Sequence, residues 1–436
     1  MLFIIDINIF TRKHSRYVIW IKRIYLLNKE RMKQMSLALE SLRVLDLTRL
    51  LPGPFSTMIL ADYGAEVIKV EDTGVGDYIR HREPKIGENS AVFHSVNRNK
   101  KSICLDLKTV KGKEILKNLV KNTDVLVESF RPGVMDRLGV GYDILKNVNP
   151  RLIYCAISGY GQTGPYANKP GHDLNFISYA GILEYMGDRE SKPIIPSMQV
   201  ADLGGGALMG TIGILMALVE RERSGKGQFI DVSMLDGALS WLQLTLPDFL
   251  ASGIQPKRGE HKLFGRNANY AVYETKDDRF ISVGSTEQKF WNEFCKTIGR
   301  DDFCEKINAP IEEQDQMKAA IQSIIIQKTL QEWVEIFDKV ETCVTPLNRF
   351  EDLEKDPQVI QREMIQTFYD SEFGNVKLIA PPIKMSKTPG SIRKLAPKSG
   401  EHTVDILTEM GLTNEQIETL ENEGVIAVST SHSSVQ

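Results

Sequence analysis

Short apolar runs recur through the first part of the chain, each followed by helical spacing. Arg43–Leu47, Glu66–Val70, Ser102–Leu105, Asp124–Val127 and Leu152–Ile157 read as strands. They are rich in Val, Ile and Leu, as strands of buried parallel sheets are. Between them, Val110–Val120 and Gly133–Leu138 space their apolar residues as amphipathic helices do. The first strand ends at Thr48, and Pro52–Pro54 predicts a turn before a helix that reaches Tyr63. Strands alternating with helices predict an α/β layer around a parallel sheet. Leu203–Val219 then runs for 17 uncharged residues with five glycines (204, 205, 206, 210 and 213). It is slightly short for a membrane span and too glycine-rich to prefer lipid, so it predicts a buried, closely packed helix.

The pattern changes at residue 264. Tyr270–Thr275 and Phe280–Val283 flank an Asp277-Asp278 turn, and amphipathic helices follow around Trp291 and Trp333. Residues 264–345 therefore read as a small α+β domain. Residues 350–395, rich in Pro and Lys, predict an extended return segment, and a last helix is expected over Thr403–Met410. The run Gly159-Tyr-Gly-Gln-Thr-Gly164 matches a dinucleotide fingerprint and follows a strand. Pro165 follows at once where a helix would have to start, and no acid ends a second strand about 20 residues on. The run reads as a glycine-rich turn that lets the backbone pass close to something, not as a nicotinamide site.

Composition and charge sharpen this only at the ends. The chain has 436 residues, 54 basic and 57 acidic, for a net charge of −3. That balance gives no whole-protein electrostatic grip on nucleic acid or membrane. It hides a basic start. Residues 1–34 carry Arg12, Lys13, Arg16, Lys22, Arg23, Lys29, Arg31 and Lys33 against Asp6 and Glu30, a net +6 that leaves −9 for the rest. This segment reads as an extension, disordered or not native to the working chain. Its apolar runs are too broken by charge for a signal sequence. Five cysteines without a C-x-x-C spacing exclude a zinc ribbon or a disulfide scaffold. They fit a reducing compartment, and the cytoplasm is the expected location. No metal site is expected.

The chemistry concentrates in residues 171–236. Gly171-His-Asp-Leu-Asn-Phe176 sets an imidazole and a carboxylate side by side at an expected helix start. Val200-Ala-Asp-Leu-Gly-Gly-Gly206 opens a second helix with Asp202. Each acid is well suited to N-capping, and taken singly each reads as a cap. Together they give two proton-transfer groups beside helix N-termini, where backbone N–H groups and the helix dipole stabilise a developing anion. Histidine titrates near neutral pH. The three glycines remove side chains where a substrate must approach.

Several ordered stretches resemble the class III CoA-transferase superfamily of the CaiB/BaiF type. They include Pro52-Gly-Pro-Phe55, Leu60-Ala-Asp-Tyr-Gly-Ala-Glu-Val-Ile-Lys-Val70, Asn97–Lys108, Glu128–Gly139, Ser158–Pro165 and Arg223-Ser-Gly-Lys-Gly-Gln228. The likeness spans about Leu42 to Leu420 and is strongest to the α-methylacyl-CoA racemases, because the His172-Asp173 pair is present with Asp202. The resemblance implies an enzyme that interconverts (R)- and (S)-2-methylacyl-CoA thioesters by α-proton transfer through an enolate. It implies His172 and Asp202 as the acid–base pair and Asp236 as the carboxylate supporting the histidine. The racemases often have glutamate at that last position. It implies a CoA site lined by Leu105, Asp106, Leu107, Lys108, Gly171, Asp173, Leu174, Asn175 and Phe176, with Arg131 and Arg137 as phosphate partners. Relatives often carry an arginine where this chain has Asp72.

The alternative is transfer of CoA between carboxylic acids through an acyl-carboxylate intermediate. For that, the resemblance points to the Gly187–Pro193 loop, where Glu190 stands in the nucleophile's place. The implied fold is an interlaced homodimer. Its large Rossmann-like domain is built from residues 35–230 and 346–430, with 264–345 as the small domain. No cofactor is implied beyond the coenzyme A carried by the acyl-CoA substrate, and no nucleic acid or membrane partner.

Overall fold

The computed structural model describes residues 37–429. The basic 1–34 segment lies outside the described residues. Six parallel strands form the main sheet: β1 (Arg43–Leu47), β2 (Glu66–Glu71), β3 (Lys101–Leu105), β4 (Val125–Glu128), β5 (Ile153–Ser158) and β6 (Phe229–Ser233). Their spatial order is β3-β2-β1-β4-β5-β6, that of a doubly wound nucleotide-binding sheet. Ile426–Ala427 adds a short antiparallel edge beside β3, so the C-terminal segment closes the sheet. Both faces are buried. In β1, Val44 enters one core with Val67, Val127 and Ile153, while Leu45 and Leu47 enter the other with Ile68, Ile103 and Leu126.

Helix α1 (Pro52–Asp62) begins at Pro52 itself. The Pro-Gly-Pro run is therefore the first helical turn and not the reverse turn expected from its composition. Proline suits that position because its missing N–H would have no intrahelical partner there. Asp46 on β1 anchors this corner. It accepts from the Thr57 hydroxyl at 2.7 Å and from the Lys100 ammonium at 2.8 Å. Lys100 spends its other protons on the Pro54 carbonyl and the Asn97 side chain. Burial lowers the Lys100 pKa to about 8, and the ammoniums of Lys100 and Lys69 hold Asp46 well below the usual carboxylate range.

A second unit has a three-stranded antiparallel sheet of Tyr270–Glu274, Phe280–Gly284 and Val344–Pro346, covered by helices Gln288–Thr297, Ile311–Ile325 and Leu330–Phe337. Its core is aromatic, with Trp291, Phe294, Phe337 and Trp333 stacked in series. Residues 350–395 are not simply extended. They fold two short helices and a hairpin of two six-residue strands, Ile365–Asp370 with Gly374–Ile379. Alternation within that hairpin buries Val376 and Leu378 and leaves their neighbours out. After Thr403–Glu409 comes a further helix, Asn414–Asn422, opened by a Thr413–Gln416 capping box.

The apolar stretch splits in two. Val200–Leu208 has wide π-type turns and runs directly into α2 (Met209–Ser224). By length and composition this is the one stretch among the described residues that could cross a membrane, and under half of its most apolar window is buried. The expectation of a buried helix holds on one face only. Ile214 and Ala217 are in the core, whereas Ile212, Leu215, Met216 and Val219 form a bare apolar stripe.

Candidate active site

Three helix starts meet beside the carboxyl ends of β5 and β6. They are Asp173–Tyr179, Val200–Leu208 and Met234–Leu239. Glycine makes the closest crossing. A Cβ on Gly205 would lie 2.5 Å from the Met234 carbonyl oxygen, and one on Gly237 would lie 2.5 Å from Gly205 Cα. Only two glycines allow backbones to approach that closely.

His172 is the N-cap residue of the first helix, with Asn175 accepting from its backbone N–H at 3.1 Å. Its ring is exposed. Asp173 turns away from its own helix and caps the next. Its Oδ1 accepts from the N–H of Ala201 at 2.6 Å and of Asp202 at 2.9 Å. This bond fixes His172 and Asp202 on neighbouring helix starts. Asp202 is half-buried, and burial together with the nearby Asp173 charge raises its pKa to about 7. Asp236 lies in the first turn of the third helix, capped by Ser233, and is exposed. No hydrogen bond joins Asp236 to His172 among the described residues. Glu190 is exposed on a loop whose Arg189 pairs with Asp315 of the small unit, and it is not among the three helix starts.

The candidate CoA-lining residues divide. Asp106, Leu107 and Lys108 form the turn leaving β3, with Asp106 accepting from the Lys108 N–H. Arg131 and Arg137 are exposed beyond β4. Leu105 does not line a site with its side chain. It is 1 % exposed, because its face of β3 belongs to the core and its backbone pairs with Ile426. The Phe176 side chain is also buried in the core, packed edge-on against Tyr160 with centroids 5.1 Å apart. The glycine run passes over this ring, and a side chain at Gly159 would strike Phe176. Leu174 and Asn175 are exposed on the helix, and Gly171 is half-buried just before it.

Two residues escaped the sequence reading. In this strand order the crevice lies where the order reverses, between the carboxyl ends of β1 and β4. Arg49 stands there, with its guanidinium near the Tyr78 and Phe130 rings and 2.7 Å from Asp72. Asp72 thus has a cation beside it. Glu128 ends β4 and is 5 % exposed, and burial raises its pKa to about 8. Glu128 is the last residue of β4 and Arg49 lies two residues beyond β1, and this position at strand ends was the available signal.

The family model of CoA-transferase family III matches residues 39–403. The chain belongs to that family. It is 35 % identical over 392 residues to the alpha-methylacyl-CoA racemase of Homo sapiens, covering 89 % of this chain and 98 % of that one. It is 33 % identical to the succinyl-CoA:glutarate CoA-transferase of Mus musculus, covering 89 % and 90 %. Among solved structures, a CAIB/BAIF family protein from Brucella suis superposes with a TM-score of 0.77 at 30 % identity, over 86 % of this chain and all of that one. This family III chain therefore has both racemases and CoA-transferases among its relatives.

Proposed function

We propose that this family III enzyme racemises 2-methylacyl-CoA thioesters. The observation that carries the reading is the Asp173 bridge. It holds an imidazole and a carboxyl group with a pKa near 7 on adjacent helix starts. A carboxyl group at that pKa is present in both protonation states at neutral pH, which suits a group that must give and take the same proton. His172 and Asp202 would flank the α-carbon, one removing the proton and the other returning one to the opposite face. The backbone N–H of Asp173, first in its helix and outside the hydrogen-bond ladder, would hold the enolate oxygen. Asp236 would support the histidine. Coenzyme A would enter as part of the substrate, against the residue 106–108 turn and Arg131. The bare stripe of Ile212, Leu215, Met216 and Val219 supports a homodimer.

Transfer of CoA between acids is the second reading, favoured by the transferase relatives. Of the two half-buried carboxyl groups at the helix starts, Asp173 is committed to the N–H groups of Ala201 and Asp202, so an acyl intermediate would form on Asp202 more readily than on the exposed Glu190. Incubation in D2O separates the two. Racemisation washes deuterium into the α-position of a 2-methylacyl-CoA with no acid acceptor present. A wild-type enzyme that exchanges nothing without an acceptor, yet forms an acyl-enzyme with one, sinks the racemase reading. Full exchange in His172→Ala removes the assigned base.

A further inference from the structure

Cys295 and Cys304 meet at the core of the small unit. Cys295 is fully buried on helix Gln288–Thr297, beside Trp291 and Phe294. Cys304 is half-buried on the short turn Asp301–Lys306, which folds back along that helix. Three hydrogen bonds fix the turn there. The Arg300 N–H donates to the Cys295 carbonyl at 2.8 Å, the Trp291 indole N–H to the Phe303 carbonyl at 2.9 Å, and the Gln288 side-chain amide to the Cys304 carbonyl at 2.6 Å. The Cys304 sulfur lies 4.0 Å from the Asn292 carbonyl oxygen, about one helical turn before Cys295. Helical side chains lean toward the N-terminus, so Cys295 covers that same turn. The two thiols are in hydrogen-bond contact.

A single buried cysteine is ordinary core packing and is inert. This pair differs, because one residue reaches the surface and the other does not. Burial, together with the neighbouring Cys304 sulfur, raises the Cys295 pKa above its ordinary value, so Cys295 stays protonated and is not the first to meet an oxidant. Peroxides convert an accessible cysteine to a sulfenic acid, which a thiol in contact captures as a disulfide. The other three cysteines stand apart from this pair in the fold. Cys104 and Cys155 are buried on strands of the main sheet, and Cys343 immediately precedes strand Val344–Pro346.

We propose that Cys295 and Cys304 form a reversible disulfide when the protein meets hydrogen peroxide. The Cys304 sulfur attacks the peroxide and the O–O bond breaks, leaving Cys304 as a sulfenic acid and releasing one water. The Cys295 sulfur then attacks the Cys304 sulfur and the S–O bond breaks. The departing hydroxide takes the Cys295 proton and leaves as a second water. The two thiols are oxidised by two electrons, and the peroxide is reduced to two waters. The new bond staples the helix to the turn that the three hydrogen bonds already hold against it.

The test is peptide mapping of the full chain after peroxide treatment and alkylation of the remaining thiols. Wild type should give one peptide pair joined through Cys295 and Cys304, lost on reduction with dithiothreitol. Cys304→Ser should give no linked pair. Cys295→Ala should leave Cys304 without a capturing thiol, so that its oxidation proceeds to the sulfinic acid. Cys343→Ser should keep the link. Oxidised wild type should unfold at a higher urea concentration than the reduced chain, since the link closes a short loop in the unfolded state. A wild-type chain in which both thiols stay alkylatable, Cys304 is carried to the sulfinic acid, or Cys304 is joined to Cys343 overturns the proposal. So does an oxidised chain whose urea midpoint is no higher than that of the reduced one. If Cys295→Ala unfolds, the wild-type map and Cys304→Ser still decide.

Discussion

Replacing Gly205 by alanine tests whether the glycine crossing sets the distance between the candidate acid–base groups. The added Cβ would lie 2.5 Å from the Met234 carbonyl oxygen and 2.8 Å from the Ala238 nitrogen. Both neighbours are backbone, so no flexible side chain can swing aside. The helices must part by about 0.5 Å to reach the shortest contact a Cβ tolerates, and by about 0.9 Å for ordinary contact. Asp202 is three residues before Gly205 in the same wide-turned segment, and Asp236 is on the helix being pushed away. A misplacement approaching 1 Å costs about 10²-fold in a preorganised site, so a loss of about 10- to 10²-fold in exchange kcat/KM is expected. Overpacking should also cost about 1–3 kcal/mol of stability. The assay is α-deuterium exchange followed by mass spectrometry, with urea unfolding run in parallel. Leu239→Ala, at an exposed position on the same helix, is the control and should leave the rate unchanged. Gly205→Ala with wild-type exchange and a wild-type urea midpoint would show that the crossing is loose, and the positional argument would fail.

Asp173→Asn should keep most of the cap on Ala201 and Asp202 while removing the charge that helps raise the Asp202 pKa. The corresponding limb of the pH–rate profile should move below pH 7, with at most about 1 kcal/mol lost from the helix; an unmoved limb would assign it to another group. Glu128 has a folded-state pKa raised from 4.5 to about 8, so the native state holds its proton where the unfolded state has released it. Its contribution to stability is therefore present below pH 4.5 and lost as pH rises toward 8. Glu128→Gln should remove that loss, gaining up to about 4 kcal/mol over wild type at pH 8.5 relative to pH 4. Parallel unfolding curves at both pH values would contradict it. Met216→Asp places a charge in the bare apolar stripe and should shift light scattering toward the monomer mass; an unchanged dimer mass would place the interface elsewhere.

Five of the six parallel strands were legible because strands buried on both faces leave near-continuous apolar runs, such as Val44–Leu47 and Val125–Val127; β6 was missed because at the sheet edge it leaves Phe229 and Asp231 exposed and has no such run. The helix start at His172 was legible for a different reason, since a polar residue ahead of an apolar run marks a cap; Asp202, read as opening its helix, is instead the third residue of a helix that begins at Val200 after Gln199, and the cap comes from Asp173. The Pro52–Pro54 run was misread because proline serves turns and first helical turns alike, and only the packing of α1 beside Lys100 and Asp46 chooses. The hairpin over residues 365–379 was hidden by flanking Pro and Lys, which are common in irregular segments.

By itself the sequence determined five of the six parallel strands and that Asp173 and Asp202 stand in first helical turns, because those depend on local periodicity. Tertiary structure decided which of them act on one another. That Asp173 caps the helix of Asp202, not its own, depends on two segments nearly 30 residues apart meeting through one carboxylate. That Leu105 and Phe176 face the core, and Glu128 keeps its proton near neutral pH, depends on what packs over each from distant parts of the chain. Burial and charge proximity are properties of that assembled environment, and no local pattern of residues encodes them.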